Sequence, residues 1–379
     1  MTNNYKVCSR CVMDTSDPEI VFDTDGVCNH CLNFDKEWSL SWFPDEKGKV
    51  MLDQAMTDIR EKGKGKEFDC IIGLSGGVDS SYLALVLKEY NLRPLVVHVD
   101  AGWNSELAVH NIEQIVKFCG YELHTHVMDW EEIRDLQVAY LKAGVANQDV
   151  VQDHAFFASL YHFAVKNKIS NVVSGGNIAT ESVFPNAWHH DAMDAISLKD
   201  IHKKFGSGKL RTFKPISFYK YYFYYPFIKK MKVIRPLNYL PYDKAEALNE
   251  LKEKVGYKEY GRKHGESRFT KFFQNHYLPV KFQIDKRRAH FSSMILSRQL
   301  TRDEAMEALS EPFYEENELK ADKIYVAKKL GIEVEVFETM IESSGNHYSE
   351  YKNWDFYYGY SLKLRSLLSK FKFVSEKSY

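Results

Sequence analysis

The sequence lacks an excess of either charge. Lys and Arg number 51 against 52 Asp and Glu over 379 residues, a formal net charge of -1. That excludes a bulk basic field of the kind that holds a protein on nucleic acid, though not a local basic cleft. No apolar run approaches membrane-spanning length, so no membrane insertion is expected. The first residues lead towards Cys8 without an apolar signal segment, and the expected location is the cytoplasm. Six cysteines are too few for a disulfide scaffold in a chain this long. There is no internal repeat and no low-complexity segment. The length allows one large buried core with additions.

The few cysteines fall in a pattern. Cys8 and Cys11 form one Cys-x-x-Cys pair, and Cys28 and Cys31 form another. Each pair puts two thiolates on one side of a tight turn. Two such turns facing each other make a tetrahedral sulfur site that suits zinc. A closed site of this kind leaves no open coordination position, so its expected role is structural. His30 lies inside the second pair as a rival ligand. Cys70 and Cys119 read as core residues.

Strands and helices alternate from residue 68 onward. Strands are predicted over 68–74, 95–99, 122–128 and 171–174, with helices over 79–89, 105–119, 129–143 and 151–168. This order predicts an α/β fold whose parallel sheet carries helices on both faces. Residues 35–66 read as a connector anchored by Trp38, Trp42 and Phe43. Its charged, glycine-containing end over 60–66 is expected to be solvent-facing and mobile. After residue 185 the pattern changes. The aromatic run 218–227 suits a core or domain contact, a substrate wall or a membrane surface. Asp243 is a helix cap, and Thr301 with Glu304 forms a capping box. The expected division is a knuckle over 1–35, a connector over 36–66, a nucleotide domain over 67–240 and a mostly helical substrate or partner region over 241–379.

The most informative stretch follows the first strand: Ser75, Gly76, Gly77, Val78, Asp79 and Ser80. Such a turn presents unpaired N–H groups to an anion at the positive end of a helix, and its glycines let a phosphate approach the backbone. It is neither Gly-x-Gly-x-x-Gly nor Gly-x-x-x-x-Gly-Lys-Ser/Thr, and no lysine follows it to reach a terminal phosphate. It resembles instead the signature of the PP-loop ATP pyrophosphatases. That superfamily includes GMP synthetase, ammonia-dependent NAD synthetase and tRNA-thiolating enzymes. The resemblance implies ATP cleavage between the α and β phosphates and adenylation of an oxygen. The turn would hold the pyrophosphate, and Asp79 would face magnesium or cap the helix. Residues 174–181 resemble the second superfamily motif, with Gly175 and Gly176 near the nucleotide and Glu181 as a magnesium or substrate contact. Strand ends collect ligands in such sheets, which adds Asp100 as a base or adenosine contact.

Further runs extend the resemblance. They are the segments around Cys8 to Asp14 and Cys28 to Cys31, His98 to Asn104, Lys263 to Thr270, and Asp285 to His290. Together they make the chain similar to the N-acetyl sugar amidotransferases of bacterial surface-polysaccharide synthesis. The resemblance implies conversion of a sugar N-acetyl group into an acetamidino group, with ATP, Mg2+ and Zn2+ as cofactors. The sugar would be a nucleotide sugar of O-antigen synthesis or a nonulosonic acid. Ammonia would come from a glutaminase subunit accompanied by a cyclase-like subunit, since no glutaminase signature appears in this chain. His264, Glu266 and Arg268 alternate, so an extended segment would point them together at the acetamido group. Lys286, Arg287 and Arg288 form a compact cationic run suited to a pyrophosphate. Lys209, beyond a glycine-rich turn, is a candidate for a closing phosphate loop. The rival readings are a tRNA-thiolating enzyme, a carboxylate-adenylating PP-loop amide synthetase and a non-catalytic scaffold.

Overall fold

The computed structural model describes residues 5–260 and 265–359. In chain order the regular elements are α1 Asn29–Lys36, α2 Glu46–Gly63, β1 Cys70–Gly73, α3 Val78–Glu89, β2 Pro94–Asp100, α4 Glu106–Cys119, β3 Glu122–Val127, α5 Trp130–Ala143 and α6 Val150–Lys166. There follow β4 Asn171–Val173, α7 Ile178–Glu181, α8 Ala195–Phe205, β5 Lys232–Ile234 and α9 Lys244–Val255. The last part is helical: α10 Arg268–Phe272, α11 Leu278–Phe282, α12 Lys286–Leu296, α13 Arg302–Ser310, α14 Glu316–Leu330 and α15 Val334–Glu342.

The five strands form one parallel sheet in the order β3-β2-β1-β4-β5. Side chains alternate between its faces. Ile72, Val96 and Val173 enter one core with Leu52, Leu83, Ile112 and Leu251. Ile71, Leu95 and Val172 enter the opposite core with Leu160, Ala164 and Tyr225. Both faces are thus covered, which is why β1 and β2 are apolar runs rather than alternating ones. Strands β3 and β5 are the edges, and on β3 the polar Glu122, His124 and Thr125 are exposed. The chain leaves β1 for β2 and β3 on one side, then returns to β4 and β5 on the other. The switch in direction therefore falls between β1 and β4, where an open sheet leaves a crevice.

Residues 60–66 are solvent-facing as expected, apart from the buried Gly63. The stretch 60–66 is anchored, because α2 continues to the buried Gly63. Arg93 then clamps it, donating to the carbonyls of Gly63 and Lys66 and to Asp69 at 2.6 Å. The aromatic run folds into a wide π-type helix over Lys220–Ile228 and packs within the chain. Tyr225 stacks on Tyr161, and Tyr221 stacks on Trp354. No helix among the described residues is long and apolar enough to cross a membrane.

Candidate functional site

The turn 75–80 leaves β1 and opens α3 at the switch point. Gly76 has φ +85°, a left-handed conformation that glycine adopts without strain, and a Cβ there would meet the Ala108 carbonyl at 2.9 Å. The hydroxyls of Tyr257 and Tyr260 both donate to the Gly76 carbonyl at 2.8 Å. Ser75 and Ser80 brace the turn through their hydroxyls, 3.2 Å apart. Helices α4, α5 and α9 each begin with a side-chain cap, from Ser105, Asp129 and Asp243. Helix α3 begins at Gly77 without one. Its first N–H groups, with the positive end of the helix dipole, are thus left to an anion.

The second loop closes on the first. A Cβ on Gly175 would lie 3.0 Å from the Asp79 carbonyl, so a larger residue would crowd this approach. Asn177 joins two acids: its side chain donates to Asp79 Oδ1 at 3.2 Å and its backbone N–H to Glu181 Oε2 at 3.3 Å. Asp79 also accepts from the Tyr242 hydroxyl at 2.5 Å and lies 3.7 Å from the Lys244 ammonium. Burial, and then the Asp79 charge, push the Tyr242 phenol far up, so it stays a donor.

The C-terminal region supplies the opposite wall. Residues 266–268 pair with 103–105: Ser105 N–H donates to the Glu266 carbonyl at 2.8 Å and Arg268 N–H to the Trp103 carbonyl at 3.1 Å. This pairing sets the Glu266 carboxylate over the turn, within van der Waals reach of a Cβ on Gly77. Deeper in, Asp149 and Asp153 lie one turn apart at the start of α6. Asp149 accepts from Thr270 at 3.0 Å and from Gln152 at 3.2 Å. Asp153 has no side-chain hydrogen bond or ion pair among the described residues. Burial pushes Asp149 up to about 6 and Asp153 up to about 7, the latter with help from the Asp149 charge. Lys286 faces the same acids, and burial lowers its pKa against the pull of Asp149, Asp153 and Glu181. Glu266, Asp149, Asp153 and Glu181 with Lys286 thus form a polar chamber of four carboxylates and one amine beside the glycine turn.

Other residues singled out in the sequence go elsewhere. Asp100 Oδ1 accepts from Gly102 N–H at 2.7 Å and from the Asn104 amide at 3.1 Å, which shapes the turn after β2. That Asn104 amide also lies 3.0 Å from His98 Nε2, while His98 Nδ1 faces the Leu74 carbonyl at 2.9 Å. A carbonyl only accepts, so the proton is on Nδ1 and Asn104 donates to Nε2. Glu266 and Arg268 do not point together, because the extended stretch ends at Ser267. Ser267 caps α10, and Arg268 begins that helix. Arg268 turns to Asp322 at 2.6 Å and stacks over Tyr325. His264 lies outside the described residues.

The cationic run disperses because successive positions on a helix face about 100° apart. Lys286 enters the chamber. Arg287 grips Asp285 and the carbonyls of Ala308, Leu309 and Glu311 at the end of α13. Arg288 reaches the Val12 carbonyl at 2.8 Å and Asp14 at 2.9 Å. Lys209 is on an exposed loop tied to α5, where Asp135 accepts from Ser207 and Gly208 and Glu132 accepts from the N–H groups of Arg211, Thr212 and Phe213.

The four cysteines Cys8, Cys11, Cys28 and Cys31 form a buried cluster able to bind a metal, all sulfurs within 4.8 Å of one another. The Cys8–Cys31, Cys11–Cys28 and Cys28–Cys31 sulfur separations are 3.8, 3.6 and 3.7 Å. A tetrahedron with metal–sulfur bonds of about 2.3 Å has an edge of about 3.8 Å, so the donor set fits zinc. Backbone N–H groups of Arg10, Cys11, Met13 and Cys28 point at the sulfurs, as thiolates require. His30 is no rival: its Nε2 pairs with Asp17 at 2.7 Å. The cluster is seated on the C-terminal helices, where Arg302 donates to the Cys8 and Cys11 carbonyls and Ser292 accepts from Val12.

Tyr242, Tyr257, Tyr260, Asp149 and Asp153 were not singled out from the sequence, and Asn177 was legible only as part of the loop 174–181. Of the former, only the two aspartates carried a signal, an i, i+4 acidic pair opening a helix.

Residues 266–365 match the family described as LPS biosynthesis protein WbpG-like, C-terminal domain. No curated protein sequence matches the chain. Among solved structures, it is similar to the NH3-dependent NAD synthetase from Campylobacter jejuni subsp. jejuni NCTC 11168 in complex with the nitrate ion. That likeness has 18% identity and a TM-score of 0.27, over 34% of this chain and 57% of that one. It is also similar to NMN synthetase from Francisella tularensis, at 13% identity and a TM-score of 0.30, over 58% of this chain and 97% of that one.

Proposed function

We propose that the chain is an ATP-dependent synthetase of the AMP- and pyrophosphate-forming kind, a C–N ligase that turns a sugar acetamido group into an acetamidino group. The observation that carries this reading is the uncapped start of α3 at the turn 75–80, faced across the switch point by the loop 174–181. The N–H groups there would bind the departing pyrophosphate, gaining strength as its charge develops. Asp79 and Glu181, joined through Asn177, would hold magnesium, which when bound screens the phosphates.

The acetamido oxygen attacks the α-phosphorus, an O–P bond forms, and pyrophosphate leaves. Ammonia then attacks the imidate carbon, a C–N bond forms, and the C–O bond breaks to release AMP. The adding nitrogen sheds protons, and the carboxylates of Glu266, Asp149 and Asp153 line the chamber that would receive them. No covalent enzyme nucleophile is needed; positioning and exclusion of water suffice. The match over 266–365 to a family described by LPS biosynthesis supports a surface-polysaccharide precursor as acceptor. All six cysteines are buried, four of them in the metal cluster, which supports an ammonia source on a separate glutaminase. The same fact leaves thiolation without a thiol at the turn. Zinc at Cys8, Cys11, Cys28 and Cys31 would be structural.

A second reading keeps the same turn and the same leaving group but adenylates a carboxylate to make an amide. The acceptor separates the two. The test is release of pyrophosphate and AMP from ATP, magnesium and ammonium with separate panels of UDP-acetamido sugars and carboxylic acids. Sugar-dependent release, with a product about 1 Da lighter than the sugar, is expected. Release with acids alone would favour the second reading. No release with either panel, when a glutaminase and cyclase-like subunit are added, would defeat both.

A further inference from the structure

Beside the chamber lies a second cavity of about 260 Å³, walled by the end of α5, the turn into α6, the start of α8 and residues 345–348. It falls below the roughly 300 Å³ at which sites for drug-sized ligands begin, so it has room for a single ring. No Lys, Arg, Asp or Glu lines it. A phosphate or carboxylate would find no cation there, and a cation would find no carboxylate.

The walls are nonetheless polar in a specific way. Tyr140 and Ser197 line the cavity at 2% and 4% exposure, and neither hydroxyl has a hydrogen-bond partner among the described residues. The neighbouring hydroxyls of Tyr277 and Tyr351 are satisfied, donating to the carbonyls of Val145 and Ala143. Neither hydroxyl is sealed from solvent, so both are free to hydrogen-bond a molecule in the cavity. His189 adds an acceptor. Its Nδ1 lies 2.9 Å from the Pro185 carbonyl and must carry the proton, which leaves Nε2 with a lone pair. Burial holds this imidazole at about 4, so it is neutral at physiological pH. His190, paired with Asp194, stacks on Tyr348 at 4.2 Å and 16°, giving a flat aromatic face.

The cavity backs onto the chamber. The His189 and Phe184 ring centroids lie 4.0 Å apart, and the Lys286 amine lies 4.9 Å from the Phe184 centroid. Asn147, in the cavity wall, accepts from the N–H of Asp149.

We propose that this cavity binds an uncharged ring bearing hydroxyl and amide groups, and that it seats the acceptor ring next to the chamber where the amide is activated. The second half rests on the function proposed above; the first does not. The test is saturation-transfer NMR on the full chain with N-acetylglucosamine as probe, run beside a separate magnesium–ATP titration. Saturation of the sugar protons is expected. It should be abolished by Ala187→Phe, which fills the cavity, and the affinity should fall about 5- to 10-fold in Tyr140→Phe, which removes one hydroxyl. Magnesium–ATP affinity should be unchanged in both. Absence of saturation in the wild type, or saturation undiminished in a folded Ala187→Phe, would overturn the proposal. Should Ala187→Phe not fold, unchanged affinity in Tyr140→Phe overturns it instead. Sugar binding without ATP binding would sustain the cavity and defeat the nucleotide reading; ATP binding without sugar binding would do the reverse.

Discussion

The hydroxyl of Tyr242 donates to Asp79 Oδ1 at 2.5 Å, joining the segment that leads into α9 to the first turn of α3. Asp79 thereby faces the loop 174–181 rather than open solvent. Replacing Tyr242 by Phe removes a hydrogen bond to a charged group, an effect of about 1.5–3 kcal/mol. Magnesium–ATP affinity in Tyr242→Phe should therefore fall by tenfold or more in a calorimetric titration. Unchanged affinity would mean that Asp79 plays no part in binding.

The metal cluster is seated on helices nearly 300 residues away in sequence, through Arg288 and Arg302. Losing the metal should therefore loosen more than the knuckle. Cys28→Ser, or treatment with a strong chelator, should remove one zinc per chain and lower Tm by at least about 5 °C. Metal analysis and a thermal melt check both parts. A melt that does not move on zinc loss would show the cluster to be energetically separate.

Asp153 gives stability a pH dependence of predictable sign. Burial, then the Asp149 charge, raise its pKa to about 7 in the folded chain. In the unfolded chain it takes an ordinary carboxylate value near 4. The folded state thus holds the proton more tightly, and this contribution to stability is full below about pH 4 and lost as pH rises through about 7. Asp153→Asn should be more stable than wild type at pH 8 and should show a flatter decline between pH 4 and 7. Denaturant titrations across that range measure it; parallel curves for the two proteins would contradict the assignment.

Arg268 is a strut between α10 and α14. Its partner Asp322 is buried, but it keeps Lys271 at 2.7 Å when the arginine is removed. Arg268 itself is 38% exposed, so solvent screens the pair. Arg268→Ala should cost about 1–2 kcal/mol of stability, between an exposed pair and a broken buried one. The KM for ATP should be unchanged. A large loss of kcat at full stability would return Arg268 to the chemistry.

The fold was legible because its signals are local. Apolar runs of strand length alternate with helical periodicity, and Asp243, Thr301 and Glu304 cap the helices that the sequence implies. The glycine turn and the cysteine pairs were legible for the same reason: their function needs particular residue types within a few positions of each other. The exposure of 60–66 was legible from its charge, but its tie to Arg93 was not, because Arg93 is distant in sequence.

By itself the sequence determined the parallel α/β sheet, the glycine turn at 75–80 and the cysteine set for a metal. Only the tertiary structure decided which charged residues face that turn. Lys286, Arg287 and Arg288 are neighbours in sequence but leave α12 in three directions, so one reaches the chamber while the others hold a helix end and the knuckle. Glu266 comes over Gly77 only because 266–268 pairs with 103–105, and Asp149 meets Lys286 only because α6 and α12 converge. The physical reason is range. Backbone conformation and hydrogen bonding are set within a turn or strand, but the direction of a side chain is set by packing between segments more than a hundred residues apart.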